Sequence, residues 1–374
     1  MRIAIVINTA WNVFNFRMSL IRTLLVQGHE VIAIAPPDAY APKLEAAGCS
    51  FERMPMSQGT NPFSDLHLTW RLYKAYKRLQ PDVVLHYTIK PNIYGTMAAQ
   101  LAGVPAINNV SGLGTVFISK GAVSAVAVAL YKLAFRYPKK VFFQNTDDQQ
   151  LFLEQGLVQK QITAVLPGSG INLEAFAPAH TFKRNQPFVF LMIGRLMYEK
   201  GIKEYVEAAQ LVKLQFPAVR CQLLGALDER NRSGISPEQL QAWLQAGHIE
   251  YLGFTDNVAA KIAQADCVVL PSYREGTPRT LLEAAAMAKP LIATNVPGCR
   301  EVVHHGENGL LCQVKSATAL ADSMLQLLQL SNGQLQQMGQ ASRKLAETKF
   351  NDHFVIDQYL AAIAEVTTGN KPVF

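Results

Sequence analysis

Residues 267–286, CVVLPSYREGTPRTLLEAAA, have the pattern of a strand, a loop and a helix. The apolar, mostly β-branched run Cys267 to Leu270 is typical of a buried parallel strand, and the run from Leu281 to Ala286 consists of strong helix formers. A strand that passes through a short loop into a helix is the repeating unit of doubly wound α/β sheets. We therefore expect an α/β domain here, with the loop at the carboxyl edge of its sheet.

The start of this helix is a predicted phosphate site. Thr277 is expected to cap the helix and Pro278 to occupy its first turn. The backbone amides of Arg279 and Thr280 would then lack helical acceptors, and the positive end of the helix dipole lies beside them. Such a helix start favours an anion.

Two carboxylates flank this helix start. Glu275 lies in the loop, and Glu283 follows eight positions later, one to two turns along the helix. The spacing alone is common, so a surface carboxylate at Glu283 and a loop charge at Glu275 are equally consistent with it. A second set of charged residues is needed to favour a binding site.

That second set lies in residues 194–201, GRLMYEKG, directly after the apolar run 188–193. Ligands of parallel α/β sheets bind beyond the carboxyl ends of the strands, so Arg195 and Lys200 are expected in the same region as Glu275. Fixed cations suit a diphosphate, above all when it leaves with growing negative charge. Taken alone, both residues are equally typical of exposed charges ahead of a helix.

Length and composition limit the class of protein. The 374 residues suit two domains, and the charged fraction of 17% with no bilayer-length apolar run argues against an integral membrane protein. The N-terminus predicts a strand in place of a signal peptide, so we expect a cytoplasmic protein.

Five cysteines without a C-x2-C pair indicate neither disulfides nor zinc. The net charge of +7 suits an anionic substrate or lipid; without an RNA-binding motif, nucleic acid is not expected.

Strand-like and helix-like runs alternate in both halves of the chain, which predicts two Rossmann-like doubly wound domains. We expect an N-terminal domain of residues 1–170 and a C-terminal domain of residues 171–350, facing a cleft. The segment 351–374 is expected to pack back on the first domain. The predicted strands are residues 3–7, 30–35, 83–86, 106–108, 141–144, 188–194, 221–224, 250–252, 268–271 and 291–293. The predicted helices include residues 17–27, 65–79, 92–102 and 351–364. A linker between the domains is predicted over residues 167–186.

These motifs together resemble the retaining glycosyltransferases of family 4. The likeness covers nearly the whole chain and is most specific in residues 188–315. The matching motifs are Gly194-Arg195-Leu196 with Lys200-Gly201, then 251–254, 270–276 with Glu283-Ala284, 296–301, 306–311 and the junction 170–176. The motifs 15–18, 90–95 and 112–118 also resemble bacterial transferases of capsule, O-antigen and lipid-linked oligosaccharide assembly, including α-1,3-N-acetylgalactosaminyltransferases.

The resemblance implies a GT-B fold and a retaining transfer of a hexose or N-acetylhexosamine, of GalNAc or GlcNAc type. The donor would be a UDP-sugar, and the acceptor a hydroxyl of a bacterial glycan linked to polyprenyl diphosphate. Arg195 and Lys200 would hold the diphosphate, Glu283 the ribose hydroxyls and Glu275 the transferred sugar, so that Glu275, Arg195 and Lys200 are the catalytic candidates. The further donor-binding positions implied are Gly194, Leu252, Gly276, Thr277, Pro278, Arg279 and Thr280.

No cofactor or metal is expected by the same resemblance. The pair Asp147-Asp148 fits this expectation, because its surroundings indicate a helix start and not a metal motif. Many relatives carry a His-Gly pair in a loop of the first domain, whereas residues 109–112 read NVSG here. No catalytic histidine is therefore carried over, and Ser111 would preserve only the backbone geometry.

Three residues of the first domain are candidates for the acceptor side: His86, Lys90 and Ser111. His86 ends a predicted strand, where a histidine more often has a structural hydrogen-bonding role. Lys90 suits the negative charge of a polyprenyl diphosphate, and a solvated loop lysine is the equally weighted alternative.

Two stretches bear on membranes. Residues 70–78 place Arg71, Lys74 and Arg78 on one helical face beside aromatic residues, and residues 121–130 are apolar and precede four basic residues. Either would suit peripheral contact with the anionic inner face of a cytoplasmic membrane. The alternatives are the solvated face of a sheet-packing helix and a core helix of small residues.

Two other functions remain open from the sequence. A UDP-sugar epimerase of GT-B fold would use the same donor site without an acceptor. A noncatalytic membrane-surface or nucleic-acid-binding protein would explain the basic charge, but would leave the two carboxylates and the Gly-Arg and Lys-Gly motifs unexplained.

Overall fold

The computed structural model of the protein describes residues 1–57, 59, 61–113, 122–178, 184–228, 231 and 233–368. The chain divides into two compact units, Met1–Ser169 with Asp352–Phe374, and Gly170–Asn351. Parts of four sequence predictions lie outside the described residues: residues 179–183 of the linker, 114–118 of the motif 112–118, residue 121 of the apolar stretch and the tail 369–374.

The first unit is built on a parallel sheet whose order is β3-β2-β1-β4-β5-β6-β7. The direction in which strands are added reverses between β1 and β4, which makes their carboxyl ends a topological switch point. The strands are β1 (Arg2–Val6), β2 (Glu30–Ala35), β3 (Ser50–Arg53), β4 (Val83–Tyr87), β5 (Ala106–Val110), β6 (Lys140–Phe143) and β7 (Thr163–Val165). The helices between them are α1 (Ala10–Val26), α2 (Ala41–Ala46), α3 (Pro62–Leu79), α4 (Thr96–Ala102), α5 (Ala122–Ala134) and α6 (Thr146–Glu154).

The second unit repeats the design with the order β10-β9-β8-β11-β12-β13, and its switch point lies between β8 and β11. Its strands are β8 (Val189–Ile193), β9 (Arg220–Leu224), β10 (Glu250–Tyr251), β11 (Cys267–Leu270), β12 (Leu291–Thr294) and β13 (Gly309–Cys312). Its helices are α7 (Ile202–Gln215), α8 (Pro237–Gln245), α9 (Val258–Gln264), α10 (Arg279–Ala286), α11 (Cys299–Val302), α12 (Ala317–Leu328) and α13 (Asn332–Leu345).

Both sheets are parallel and covered on both faces, which is why their strands are nearly continuous apolar runs. All five residues of β8 are buried, and neighbours such as Phe190 and Leu191 belong to two different cores, one on each face. The predicted doubly wound α/β architecture is confirmed.

The last helix, α14 (Asp352–Thr368), belongs to the first unit although the chain reaches it from the second. Its Tyr359 packs edge-on against Phe142 at 5.0 Å between ring centroids. The Tyr359 hydroxyl also accepts a hydrogen bond of 2.8 Å from the Asn109 side chain. Within the described residues, no helix has both the length and the apolar character needed to cross a membrane.

Candidate functional site

The carboxyl ends of β8 and β11 bring together two of the predicted site residues. Lys200 Nζ lies 2.5 Å from Glu275 Oε1, and the two side chains are 24% and 12% exposed. Lys200 follows β8 and Glu275 follows β11, the two strands of the switch point. The expectation that both loops converge at one edge of the sheet is confirmed.

A close backbone approach fixes the position of Lys200. Gly201 ends the turn that carries Lys200 and has a φ of +75°, and a Cβ there would lie 2.1 Å from the Pro271 carbonyl oxygen. Only glycine fits such a contact. The Lys200 stem passes Gly194, whose Cβ position would be 3.9 Å from Lys200 Cδ. The close approach of Gly201 to Pro271 therefore fixes the turn that carries Lys200, while a side chain at Gly194 would make only ordinary contact with the lysine stem.

Glu275 is held by the loops around it. Ser272 Oγ donates a hydrogen bond of 2.6 Å to Glu275 Oε1, the same oxygen that faces Lys200. Gly298, with a φ of +80°, lies so close that a Cβ would be 2.2 Å from the Gly276 carbonyl oxygen. The sequence motif contained Ser272, but its role was not predicted; its position three residues before Glu275 is the signal that could have shown it.

The start of α10 differs from the sequence prediction. Pro278, and not Thr277, is the N-cap residue, and no side chain caps the helix. Pro278 has a ψ of 116°, which is extended, so helical dihedrals begin only at Arg279. The Pro278 carbonyl accepts hydrogen bonds from the amides of Leu281 and Leu282 at 3.1 and 3.3 Å. Thr277 and Gly276 are buried in the loop that leads into the helix.

The first turn of α10 retains the electrostatic character of an anion site. It contains no acidic residue, and its first residue is Arg279, a cation at the positive end of the helix dipole. Arg279 and Thr280 occupy the first two helical positions, where backbone amides have no acceptor within the helix. A phosphate at this position would balance the positive charge of Arg279 and of the helix start.

Glu283 is not the surface carboxylate that its spacing alone allowed. Its side chain is 10% exposed, and Arg279 Nε donates a hydrogen bond of 2.9 Å to its Oε1. Burial raises the pKa of the Glu283 carboxyl above its ordinary value, while the Arg279 guanidinium acts in the opposite direction. A buried acceptor next to a helix start can bind hydroxyl groups.

Arg195 is placed differently from Lys200. It is 62% exposed, and its Nη1 lies 3.3 Å from Asp228 Oδ2, in the loop after β9. Each of the three cations Arg195, Lys200 and Arg279 thus faces a carboxylate. Any anion that binds these cations would compete with the carboxylates. Asp228 was not predicted, because nothing in the sequence pattern links it to Arg195.

Two backbone positions complete the edge of this sheet. Gly225 has a φ of +158°, and a Cβ there would lie 1.8 Å from the Gly194 carbonyl oxygen, so the loops after β8 and β9 pack backbone to backbone. Leu252 follows β10, is half-buried, and donates its amide to the Leu223 carbonyl at 2.9 Å. At this edge of the sheet, Gly194 therefore contributes backbone surface and Leu252 contributes apolar surface.

Two acidic residues close to Lys200 in the chain, Glu199 and Glu204, were not predicted from the sequence. Glu199 Oε1 accepts a hydrogen bond of 2.5 Å from Ser233 Oγ, and the Glu199 carbonyl accepts one of 2.8 Å from the Tyr273 amide. Glu204 Oε1 accepts a bond of 2.6 Å from the Tyr273 hydroxyl. The two contacts with Tyr273 tie the loop of Lys200 and the start of α7 to the loop of Glu275, and the contact with Ser233 ties the loop of Lys200 to the segment that follows β9.

His86 is not an acceptor-side residue in this structure. The strand β4 continues to Tyr87, which pairs with Asn109, so His86 lies inside the sheet and is fully buried. Its Nε2 is 2.9 Å from the Tyr76 hydroxyl, and its Nδ1 is 3.1 Å from Asn108 Oδ1. Burial lowers the pKa of His86 to about 4. The structural role weighed from the sequence is the correct one.

Lys90 is a paired residue at the carboxyl edge of the first sheet. Its Nζ lies 2.5 Å from Asp65 Oδ1 and 3.1 Å from Ser57 Oγ, and its side chain is 17% exposed. The alternative of a solvated loop lysine is therefore wrong. Ser111 directly follows β5 at the same edge and is half-buried. Asp147 and Asp148 lie in the first turn of α6, as predicted.

Two family models match the chain. Residues 175–345 match the model described as glycosyl transferases group 1, which spans most of the second unit. Residues 15–168 match the model of the glycosyl transferase 4-like domain, which spans most of the first. The resemblance inferred from the motifs is confirmed in both halves of the chain.

Individual relatives agree with these models. A protein of Campylobacter jejuni is 31% identical over 96% of this chain and 97% of its own; it is named N,N'-diacetylbacillosaminyl-diphospho-undecaprenol alpha-1,3-N-acetylgalactosaminyltransferase. A protein of Escherichia coli, named UDP-Gal:alpha-D-GlcNAc-diphosphoundecaprenol alpha-1,3-galactosyltransferase, is 26% identical over 68% of each chain. The crystal structure of HepE from Anabaena, in complex with UDP and glucose, superposes with a TM-score of 0.78 at 19% identity, covering 98% of this chain and 99% of that one. At this identity the structural likeness shows the fold.

Proposed function

Because this chain belongs to the group 1 glycosyltransferases and has the GT-B fold, we propose that it transfers an N-acetylhexosamine, with retention, from a UDP-sugar to a polyprenyl-diphosphate-linked glycan. The pairing of Lys200 with Glu275 at the switch point of the second unit carries this proposal, since it places a cation that would suit a phosphate beside a carboxylate that would suit sugar hydroxyls. The names of the Campylobacter and Escherichia coli relatives support the acceptor class.

The donor would bind to the second unit. Its diphosphate would lie against Lys200, Arg195 and the amides at the start of α10, and its ribose hydroxyls would donate to Glu283. Glu283 suits this role because it is buried, so a hydrogen bond to its carboxylate is only weakly screened by water.

Diphosphate binding would also free Glu275 to bind the sugar. A phosphate that reaches Lys200 replaces Glu275 as its partner, and the carboxylate is then available to the sugar hydroxyls. Ser272 keeps the Glu275 carboxylate in the same place through its hydrogen bond of 2.6 Å. Donor binding and sugar positioning are thereby coupled through one ion pair.

The transfer would proceed on one face of the sugar. The bond between C1 and the phosphate oxygen breaks, the acceptor oxygen forms the new bond to C1 from the same side, and its proton passes to the leaving phosphate. Lys200 and the α10 amides stabilise the charge that grows on that phosphate; loss of one such donor typically costs about 10²–10³ in turnover. Glu275 orients the sugar and need not be a nucleophile.

We also propose that the reaction needs no metal and takes place at the inner face of the cytoplasmic membrane. The cations Lys200, Arg195 and Arg279 supply positive charge for a diphosphate at this edge of the sheet. The acceptor class suggested by the relatives is anchored in a membrane, which favours a peripheral enzyme.

Thermal stabilisation by nucleotides tests the donor assignment. UDP-, GDP- and ADP-sugars, each beside its free nucleoside diphosphate, are added with and without EDTA. We expect the melting temperature to rise with UDP compounds and to be indifferent to EDTA. Stabilisation by GDP or ADP compounds alone would overturn the choice of UDP, and stabilisation that EDTA abolishes would overturn the metal-free site.

A further inference from the structure

The outer face of α3 is unusually apolar for a solvent-facing surface. Phe63, Leu66 and Trp70 are 87%, 71% and 50% exposed. Their spacing of three and four residues puts them on one side of the helix, opposite the buried Leu68 and Leu72. Single exposed apolar residues are ordinary, whereas three on successive turns indicate a binding surface.

The same face becomes cationic towards the end of the helix. Lys74, Lys77 and Arg78 are exposed, and Lys74 Nζ lies 3.7 Å above the Trp70 ring. The single acidic residue of α3, Asp65, is buried and paired with Lys90. The outer face of α3 therefore offers apolar side chains over its first turns and positive charge over its last turns.

A shallow cavity adds a site for an anionic group. It measures about 220 Å³ and is lined by Arg53, Arg71, Lys74 and Arg78, with Glu52 as the one carboxylate of the lining. Glu52 is already neutralised, because it lies 2.7 Å from Arg78. Arg71 Nε is buried and has no hydrogen-bond partner among the described residues. Arg71 Nη2 donates a hydrogen bond to the Pro55 carbonyl, which holds this side chain at the cavity.

The apolar end of α3 lies at the functional edge of its sheet. A helix that connects two parallel strands starts at their carboxyl edge and runs back across the sheet. Asp65, in the first turn of α3, binds Lys90 at 2.5 Å and accepts a hydrogen bond of 3.1 Å from the Tyr94 hydroxyl, both just beyond the end of β4. Phe63 and Leu66 therefore lie at the end of the helix that adjoins the loop after β4.

We propose that the outer face of α3 docks on an anionic lipid membrane. Phe63, Leu66 and Trp70 enter the acyl boundary, while Lys74, Lys77 and Arg78 and the cavity beside them bind lipid phosphates. Apolar insertion combined with basic residues is the pattern of helices that lie in a membrane interface. This deepens the proposed function and rests on it in one respect: docking would bring a lipid-linked acceptor to the carboxyl edge of the first sheet.

Vesicle binding by the full chain tests the proposal. The protein is mixed with vesicles of phosphatidylcholine alone or of phosphatidylcholine with phosphatidylglycerol, and bound protein is measured by flotation. We expect binding to the anionic vesicles only, weakened about tenfold or more by Phe63→Ser with Leu66→Ser. Lys74→Glu with Lys77→Glu should weaken it to a similar degree.

The helix α1 supplies a matched control. Val26 is 88% exposed and Arg22 is exposed one turn before it, so Val26→Ser with Arg22→Glu changes one apolar and one basic residue elsewhere on the first unit. This control should bind vesicles normally. Trp70 fluorescence should shift to the blue on anionic vesicles, and the shift should be absent in Trp70→Phe.

The proposal would be overturned by no binding to anionic vesicles, by equal weakening in the α1 control, or by weakening from the charge changes but not from the apolar ones. Stronger binding to RNA than to vesicles would also contradict it. Thermal stabilisation of the same protein samples by UDP distinguishes the proposal of membrane docking from the proposal of a donor site. Variants of α3 that lose vesicle binding should keep that stabilisation, whereas its loss in the unaltered protein would count against the donor site alone.

Discussion

Lys200 and Glu275 are separated by 75 residues in the chain, yet Lys200 Nζ lies 2.5 Å from Glu275 Oε1 at the switch point of the second sheet. The two residues carry opposite charges and are both largely shielded from water. In the proposed function a diphosphate replaces Glu275 as the partner of Lys200, and the Glu275 carboxylate, still held by Ser272, becomes available to the sugar hydroxyls.

Lys200→Ala should lower turnover by about 10²–10³, because it removes a cation from the leaving diphosphate. The fold should survive, since the Lys200 side chain is only partly buried. The control is Lys203→Ala: Lys203 is 56% exposed, pairs with Glu207 at 3.7 Å, and should be dispensable. Steady-state rates of UDP release measure the turnover. Equal losses of turnover in both variants would show that Lys200 is not part of the catalytic site.

Glu283→Gln should weaken UDP binding by about tenfold or more, because a charge-assisted hydrogen bond is worth about 1.5–3 kcal/mol. Calorimetric titration with UDP measures the affinity, and uridine without phosphate isolates the ribose contribution. Glu207→Gln, at an exposed carboxylate, is the control. If uridine binding is unchanged in Glu283→Gln while that of UDP falls, the carboxylate acts through Arg279 and not on the ribose.

Ser272→Ala should lower kcat about tenfold and leave the affinity for free UDP unchanged. The hydroxyl orients Glu275 through the bond of 2.6 Å and is not proposed to touch the nucleotide. Ser272→Thr keeps the hydroxyl and should restore part of the rate. A parallel fall in UDP affinity would instead indicate that Ser272 supports the loop as a whole.

Burial of His86 should make the protein less stable in mild acid. The histidine takes up its proton at about pH 4 in the folded protein and near pH 6.5 when unfolded. Between these values the unfolded state binds more protons, so stability is complete above pH 6.5 and falls by roughly 3 kcal/mol as the pH drops to 4.

Denaturant unfolding at pH 7 and pH 5 checks this prediction. His86→Gln should lose less stability over that interval than the unaltered protein, whereas His67→Gln, at an exposed position, should lose as much. An equal pH dependence in all three proteins would mean that His86 does not govern it.

Much of the fold could be predicted because the strands are apolar on both faces. The strand Glu30–Ala35 was predicted with the observed bounds. The first helix was placed too late, at residue 17, because Trp11 to Phe16 are modest helix formers. Thr9 starts this helix earlier by accepting a hydrogen bond of 3.0 Å from the Asn12 amide.

The predicted helix 92–102 begins as a π-helical turn, Pro91–Gly95. A Cβ at Gly95 would lie 2.7 Å from His86 Nε2, so the buried histidine and the turn are packed against each other. A tertiary contact of this kind leaves no periodic signal in the sequence.

The part of the site that could be predicted is the part whose position follows from the sheet topology. Loops after β8 and β11 must converge at one edge of a parallel sheet, so Lys200 and Glu275 could be joined from sequence alone. The pairing of Arg195 with Asp228 and the role of Ser272 depend on the backbone path within loops, which residue types do not specify. The cap of α10 was misplaced for the same reason, since the dihedral angles of Pro278 decide where the helix starts.

Sugar transfer itself is measured by mass spectrometry of a lipid-linked acceptor after incubation with UDP-N-acetylgalactosamine or UDP-N-acetylglucosamine. The acceptor is a short glycan on polyprenyl diphosphate, and Lys200→Ala serves as the comparison. We expect an acceptor enlarged by one N-acetylhexosamine, an equal amount of UDP released, and formation of both products about 10²–10³ slower with Lys200→Ala. Conversion of the UDP-sugar into its epimer with the acceptor unchanged would contradict it.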